Sequence, residues 1–490
     1  MQKTTVIIVL TFFGFVAFSQ KEANNWYFGE RAGLTFERNN PVPLTDGQMI
    51  AAGAPAVVSD GETGQLLFYS NGENVWNRNH EVMPNGNNLA GTRNATNIAY
   101  AVPVPNSTHR FYLFTFIRAN FSTLEGAKIY YSIIDISLNG GLGDIIPETK
   151  NTLLLEGATE KIAAIPHQNK TDYWLITHEF NSNRFIVYLI TSTGITEHSA
   201  YAIGEKHEVE GGNIVQAQGH MKASPDGTKL AVTLRSFLSP KPFQLFDFNN
   251  ATGEISNPQS LGDYTMQYGV SFSSDSRKLY LHGYHVTPET YDYLFQLDLN
   301  EPDILSSRTG LLGSNPFMDR YDFGAGFANF SFQLGPDGRL YGAGSPSSSD
   351  DQISRNSVFI IRNPNAKGYA CDVSISKFDF GSGRVNTDLP NFIQSIFQNN
   401  SPEQNPNAPC IEKYFRIYPN PVQDLLIFEI TQACVNNYSI QLYDTAGKQI
   451  KQLQVLDTHY ELDTSDLASG LYILVIKSTT SVFATKIVKL

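Results

Sequence analysis

Positive charge is scarce in this sequence. Thirty-five Lys and Arg stand against 47 Asp and Glu, for a formal net charge of -12. Such a surface repels phosphates, which argues against nucleic acid as a partner. Charged residues reach only 17% against 41% hydrophobic, a balance that excludes a disordered chain. Cysteine is limited to Cys371, Cys410 and Cys434, so at most one disulfide forms within a chain. Three pairings are open, as are three unpaired thiols. Cys371 with Cys410 is the favoured pair, because it would staple the end of a large domain to its linker. Beyond the first 18 residues no stretch is long and apolar enough to span a membrane. Long helical patterns are nearly absent.

The first residues carry a processing signal. Lys3 supplies positive charge, and an apolar run extends from Val6 to Phe18. The small residues Ala17 and Ser19 place cleavage between Ser19 and Gln20. The chain is therefore expected to leave the cytoplasm and to carry no transmembrane segment once the signal is removed.

Aromatics are abundant, with 24 Tyr and 32 Phe, as suits half-buried pleated surfaces. Short alternating strands separated by Gly, Asn, Asp and Pro turns run throughout. Polar turns aligned with the strands that follow them reveal a repeat. Ser224-Pro225-Asp226-Gly227 leads into Lys229–Val232, Ser274-Asp275-Ser276 into Lys278–Leu281, and Gly335-Pro336-Asp337-Gly338 into Arg339–Tyr341. Further copies begin at Leu66, Phe111 and Tyr173, and successive starts lie 45 to 62 residues apart. That spacing suits one four-stranded unit per repeat. Each unit has an apolar face it cannot bury alone, and closing the units into a ring leaves only short, protected edges. The expected fold is all-β: a β-propeller of seven blades, with six or eight as alternatives, followed by a small C-terminal β-sandwich. The strands near Trp26–Phe28 and Leu34–Phe36 are expected to complete a blade with the pieces at Ser376–Phe380 and Ile393–Phe397, latching the two ends together.

The Ser-Pro-Asp-Gly and Gly-Pro-Asp-Gly turns resemble those of WD-like and TolB-like propellers. At larger scale the chain resembles a family of exported bacterial propeller proteins. The residues that carry this likeness are Asn25-Trp26-Tyr27-Phe28-Gly29, Leu67–Gly72 with Val75-Trp76-Asn77, and Leu389-Pro390-Asn391-Phe392-Ile393-Gln394-Ser395. The resemblance implies a fold and no particular activity.

Residues 399–413 form an Asn-, Pro- and Gln-rich linker. The last module opens with Tyr418-Pro419-Asn420-Pro421 and continues through the turn Thr445-Ala446-Gly447-Lys448. It then passes Leu467-Ala468-Ser469-Gly470-Leu471-Tyr472 and ends at Lys486-Ile487-Val488-Lys489-Leu490. It resembles the type A sorting domain of type IX secretion cargo. The resemblance implies passage to the exterior of the outer membrane of a Gram-negative bacterium, with type IX secretion machinery as partner. Pro419, Asn420, Pro421, Gly447, Gly470 and Tyr472 are the motif residues. Proline fixes an extended entry, and Gly447 suits a hairpin turn with positive φ. The resulting division is signal peptide 1–19, propeller 20–398, linker 399–413 and sorting domain 414–490.

A search for chemistry is largely negative. No Gly-x-Ser-x-Gly elbow, His-Glu-x-x-His helix or phosphate-binding Gly-rich loop is present. His80-Glu81 and His178-Glu179 each lack a second histidine nearby in sequence. His282 and His285 on one strand would point to opposite faces, so no metal site is expected and no cofactor is implied. Asp226, Asp275 and Asp337 recur with the repeat, as turn aspartates do. The charged loop Glu205–Gly212 is either a ligand face or a solvated loop. Tyr264, Tyr268, Tyr284, Tyr291 and Tyr293 are either stacking surfaces for sugar or packing between blades. The expected function is a non-enzymatic surface module that binds a glycan or protein, or an envelope component. The alternative is a secreted hydrolase or lyase acting on polysaccharide or peptide.

Overall fold

The computed structural model describes residues 21–36, 40–286, 291–314, 327–346, 356–398, 415–430, 439–454, 459–477 and 482–490. Among them the only helical elements are short 3-10 segments. Everything else is strand or turn, and every strand pairing in the sheets is antiparallel.

Among the described residues, six sheets precede residue 399. The first pairs Asn25–Phe28, Ala32–Thr35 and Val42–Leu44. The second pairs Ala56–Ser59, Leu66–Ser70 and Val75–Asn77. The third has eight strands, because the strand Thr152–Pro166 serves two neighbours in turn. Its first half pairs with Ala127–Asp135 and its second half with Tyr173–Glu179. A register shift between Ala158 and Ile162 separates the halves. Three four-stranded sheets follow. They begin at Met221–Ala223, Val270–Phe272 and Phe327–Leu334. In each sheet, strands consecutive in sequence lie side by side, the only exception being the short strand Asp144–Ile145.

The repeating turns explain why the strands begin where they do. Asp226 Oδ1 accepts the backbone N–H of Thr228 at 3.1 Å, and Gly227 holds φ at +70°. Asp275 accepts Arg277 N–H at 3.1 Å, and Asp337 accepts Arg339 N–H at 3.2 Å. Each aspartate closes the turn on its own backbone and sets the register of the strand after it. These three carboxylates are structural.

Successive sheets pack through their first strands. Asn25–Phe28 lies against Ala56–Ser59, which lies against Ala99–Pro103. The second half of Thr152–Pro166 meets Met221–Ala223, then come Val270–Phe272 and Phe327–Leu334. The last sheet returns to the first: the fully buried Trp26 ring sits 5.4 Å from Tyr341 and 4.7 Å from Phe36. The latch between the two ends takes a different form from the one expected. The N-terminal strands build their own sheet, and the last sheet is complete with Val373–Lys377. Ile393–Phe397 adds no strand, because Gln394–Phe397 is a 3-10 turn. The ends instead join where Glu30 and Arg384 exchange backbone hydrogen bonds at 2.9 and 2.8 Å.

The tail contains two sheets. Phe415–Tyr418, Leu425–Ile430 and His459–Asp463 form one. Ser439–Asp444, Gln449–Gln454, Gly470–Lys477 and Val482–Lys489 form the other. Leu426, Phe428 and Leu462 from the first share a core with Ile440, Leu442, Leu474, Ile476 and Ile487 from the second.

Trp26 joins the first sheet to the last and also packs 6.0 Å from Phe392. Trp26→Ala is expected to lower unfolding free energy by about 3–5 kcal/mol, the usual cost of emptying a buried indole site. Urea denaturation of both proteins measures it.

Candidate functional site

Residues 384–397 follow the last sheet in sequence but are buried against nearly all the others. Asp388 is held from two sides. One oxygen lies 2.8 Å from His220 Nε2, and the other accepts the Tyr268 hydroxyl at 2.8 Å. The Leu389 N–H donates to Ser331 Oγ at 3.1 Å. Asn391 is more widely connected. Its N–H donates to the Pro55 carbonyl at 3.2 Å, its Nδ2 donates to Asn97 Oδ1 at 2.8 Å, and its Oδ1 accepts Lys222 Nζ at 2.6 Å. Lys222 donates also to Gln333 Oε1 at 2.7 Å. One short segment thus satisfies polar groups on sheets far apart in sequence.

Two more buried charges flank this segment. Glu160 Oε2 accepts the Thr96 N–H at 2.6 Å, and Oε1 accepts the Ala119 N–H at 3.2 Å. Burial pushes its carboxyl above the usual range. Lys161 Nζ donates to the carbonyls of Gln216, Ala217 and Gln218. Burial lowers the Lys161 and Lys222 ammonium groups to about 7.

Above this buried layer lies an open cavity of about 350 Å³. Loops entering the first strands supply Ala95, Thr96, Gln218 and Tyr268, and the loops after second strands supply Arg118, Phe121, Arg235 and Phe237. Thr387 of the central segment forms part of the wall. The Arg118 guanidinium stacks 4.6 Å from the Phe121 ring centre. Arg235 lies 5.0 Å from Phe237 and 5.4 Å from Tyr268, and its Nη1 donates to Gln218 Oε1 at 2.5 Å. Arg235 is only 8% exposed, whereas Phe121 and Phe237 are 38% and 46% exposed. Nε of both arginines is buried and has no partner among the described residues.

The residues singled out in the sequence meet varied fates. Within Glu205–Gly212, Glu210 braces the cavity: its Oε1 accepts the Ser236 hydroxyl at 2.6 Å and its Oε2 the Phe237 N–H at 3.2 Å. Tyr268 lines the cavity, while Tyr264 is fully buried and donates to the Leu261 carbonyl. Tyr284 is half-buried, and the side chains of Tyr291 and Tyr293 lie outside the described residues. His80 holds φ at +63° and bonds Tyr69 and Asp46, a structural turn. His282 is buried and His285 half-buried, with a register shift between them. No group of metal-binding side chains occurs among the described residues. Cys371 is buried; Cys410, Cys434, Ser19 and Gln20 lie outside the described residues. In the tail, Pro419 and Pro421 flank Asn420. The Asn420 Nδ2 donates to the Lys486 carbonyl at 2.7 Å, and its Oδ1 accepts the Val488 N–H at 2.9 Å. Gly447 turns at φ +81°, and the Tyr472 hydroxyl, two residues past Gly470, donates to the Ala468 carbonyl at 2.9 Å.

Arg118 and Arg235 were not identifiable as site residues from sequence alone. Each follows the second strand of its unit and is followed within three residues by Phe. That shared placement is the signal that points to them.

Residues 416–490 match the secretion system C-terminal sorting domain family. A tail of this family marks type IX secretion substrates, and so a secreted or cell-surface protein. No helix among the described residues is long and apolar enough to cross a membrane. No curated protein matches the sequence. Among solved structures, the chain is similar to PorZ, a surface component of the type IX secretion system of Porphyromonas gingivalis. The identity is 10% and the TM-score 0.29, over 95% of this chain and 70% of that one. An extracellular domain from B. thetaiotaomicron, assigned to a hybrid two component system, is 13% identical with TM-score 0.33. The match covers 95% of this chain and 55% of that one, so this chain spans little more than half its length. A protein from Lactobacillus plantarum is 12% identical with TM-score 0.37, over 83% and 98% of the two chains.

The fold brings His207 to His178, with ring centres 4.1 Å apart under Phe185. Both ring nitrogens of His178 lack partners among the described residues, and burial lowers its pKa to about 3. An unfolded histidine titrates near 6.5. Between these values the unfolded chain binds a proton that the native chain does not, so stability falls as pH drops from about 6.5 towards 3. His178→Leu is expected to remove part of that slope, worth a few kcal/mol at most. Urea midpoints of both proteins between pH 7 and 4 measure it.

Proposed function

We propose that this chain is an exported binding protein, with a seven-bladed β-propeller at residues 20–398, a linker at 399–413 and a β-sandwich sorting domain at 414–490. The sheet order supports seven blades. The two three-stranded sheets, the two halves of the eight-stranded sheet and the three four-stranded sheets make seven units. Their first strands would then line a channel that residues 384–397 fill. The two tail sheets with their common core support the sandwich.

The observation that carries a binding role is the cavity at the mouth of that channel. Its lining offers two guanidiniums, three aromatic rings, amides and hydroxyls. Hydrolysis of a glycan needs two carboxyl groups at the reacting bond. The carboxyl groups bonded beside the lining, Glu160, Glu210 and Asp388, have both oxygens of each engaged by protein groups. The cavity is thus suited to holding a ligand, and the tail to delivering the holder outside the cell.

Intact mass of the protein at the native cell surface tests delivery. The expected product begins at Gln20, ends between Asn399 and Phe415, and disappears from the surface in a strain lacking the translocon. A surface product that still ends at Leu490 and is indifferent to translocon loss would contradict the sorting role.

A further inference from the structure

We infer that the cavity recognises an acidic sugar, with a ring carboxylate seated between Arg118 and Arg235 and the sugar face laid on Phe121 and Phe237. The inference rests on the binding role proposed above and names the ligand class.

Arg118 and Arg235 both keep a buried Nε–H that no acceptor meets among the described residues. Burying a guanidinium is costly unless an anion or a full set of acceptors meets it. Arg235 is more than nine-tenths buried, yet among the described residues its only hydrogen-bond acceptor is the neutral Gln218 amide. The buried Arg118 Nε has none among the described residues. The two guanidiniums are close enough to repel each other. Glu160 lies near both and Asp388 near Arg235, and each outweighs the repulsion from Arg118, but the oxygens of both carboxyl groups are taken by other protein groups and leave the Nε–H groups unmet. An anion in the cavity would relieve the repulsion and meet the open Nε–H groups, and the planar guanidinium fork matches a carboxylate.

The rest of the lining selects among anions. A peptide C-terminus is usually captured by a nest of backbone N–H groups. The Thr96 and Ala119 N–H groups that could contribute to one are already given to Glu160. A densely charged polyanion would be repelled at long range by a protein of net charge -12. A polymer with sparse charge, read one carboxylate at a time, avoids that repulsion. Asn94, Gln218 and Thr387 offer donors and acceptors for hydroxyl groups. Phe121 and Phe237 each carry a guanidinium on one face and are partly exposed, which leaves apolar ring surface for the C–H face of a sugar. The cavity is open, so a polymer can continue outward from the bound unit.

The test uses the mature full-length chain on an array of uronate-bearing, sulfated and neutral glycans and peptides with free C-termini. Calorimetry then follows with an oligosaccharide carrying a single uronate among neutral sugars and with its methyl ester, which keeps the ring and removes the charge. Binding confined to uronate-bearing glycans is expected, with a loss of about tenfold or more on esterification. Arg118→Gln and Arg235→Gln should each lose a similar factor. Arg118 is partly exposed, so an unchanged melting temperature for its variant would separate lost binding from lost folding. Phe237→Ala should weaken binding with no change in the effect of esterification. Equal affinity for acid and ester, or preference for neutral or sulfated glycans, would overturn the acidic-sugar assignment while leaving a glycan-binding role intact. Capture of peptides alone, or of nothing on the array, would overturn it too, and in the last case the binding role would fall with it.

Discussion

The contact of Asp388 with His220 and Tyr268 is the point on which the arrangement depends. A ring of sheets leaves polar strand edges and side chains facing its axis, and buried polar groups need partners. In this chain a single segment supplies them. Asp388 reaches the fifth and sixth units and Asn391 the second, third and fifth, while Leu389 and Gln394 reach the seventh. The seven-residue run Asp388–Gln394 therefore acts as an axle for the proposed propeller. That segment follows the sixth sheet in sequence, so several of these contacts close very long loops, at a cost in chain entropy.

The axle also determines where a ligand can go. In the proposed propeller this segment fills the axis, and the cavity lies where Thr387 enters the segment. The arginines there sit on loops whose conformation is set from below. Glu160 ties down the loops at Thr96 and Ala119, and Glu210 ties down Ser236 and Phe237. The carboxylates near the cavity thus act as braces, and the buried Nε groups of Arg118 and Arg235 are left without a protein partner among the described residues. This division of roles gives an acidic protein a local positive site.

Much of the architecture is legible in the sequence because second strands follow polar turns. The Asp226, Asp275 and Asp337 turns announce their strands through a local hydrogen bond that needs no tertiary context. The tail is equally legible, since its prolines and glycines mark turns at fixed spacing. The first strands are harder to see. Met221–Ala223 and Val270–Phe272 have three residues each, too few to show a period, and Thr152–Pro166 hides a boundary between two units inside one strand. Ile393–Phe397 looks like a strand in the sequence, but Gln394–Phe397 is a 3-10 turn. The cavity was illegible for a different reason. Arg118 and Arg235 are far apart in sequence, and only the packing of the third unit near the fifth across the mouth brings them together.

Backbone hydrogen exchange of residues 384–397 tests the central claim most directly. The amides of Arg384, Leu389 and Asn391 donate to Glu30, Ser331 and Pro55 inside the fold. They should exchange only on global unfolding, as slowly as those of the buried strand Tyr173–Glu179. Exchange of this segment at the rate of an exposed linker, with the strands still protected, would show that the axis is held together without it and would contradict the account.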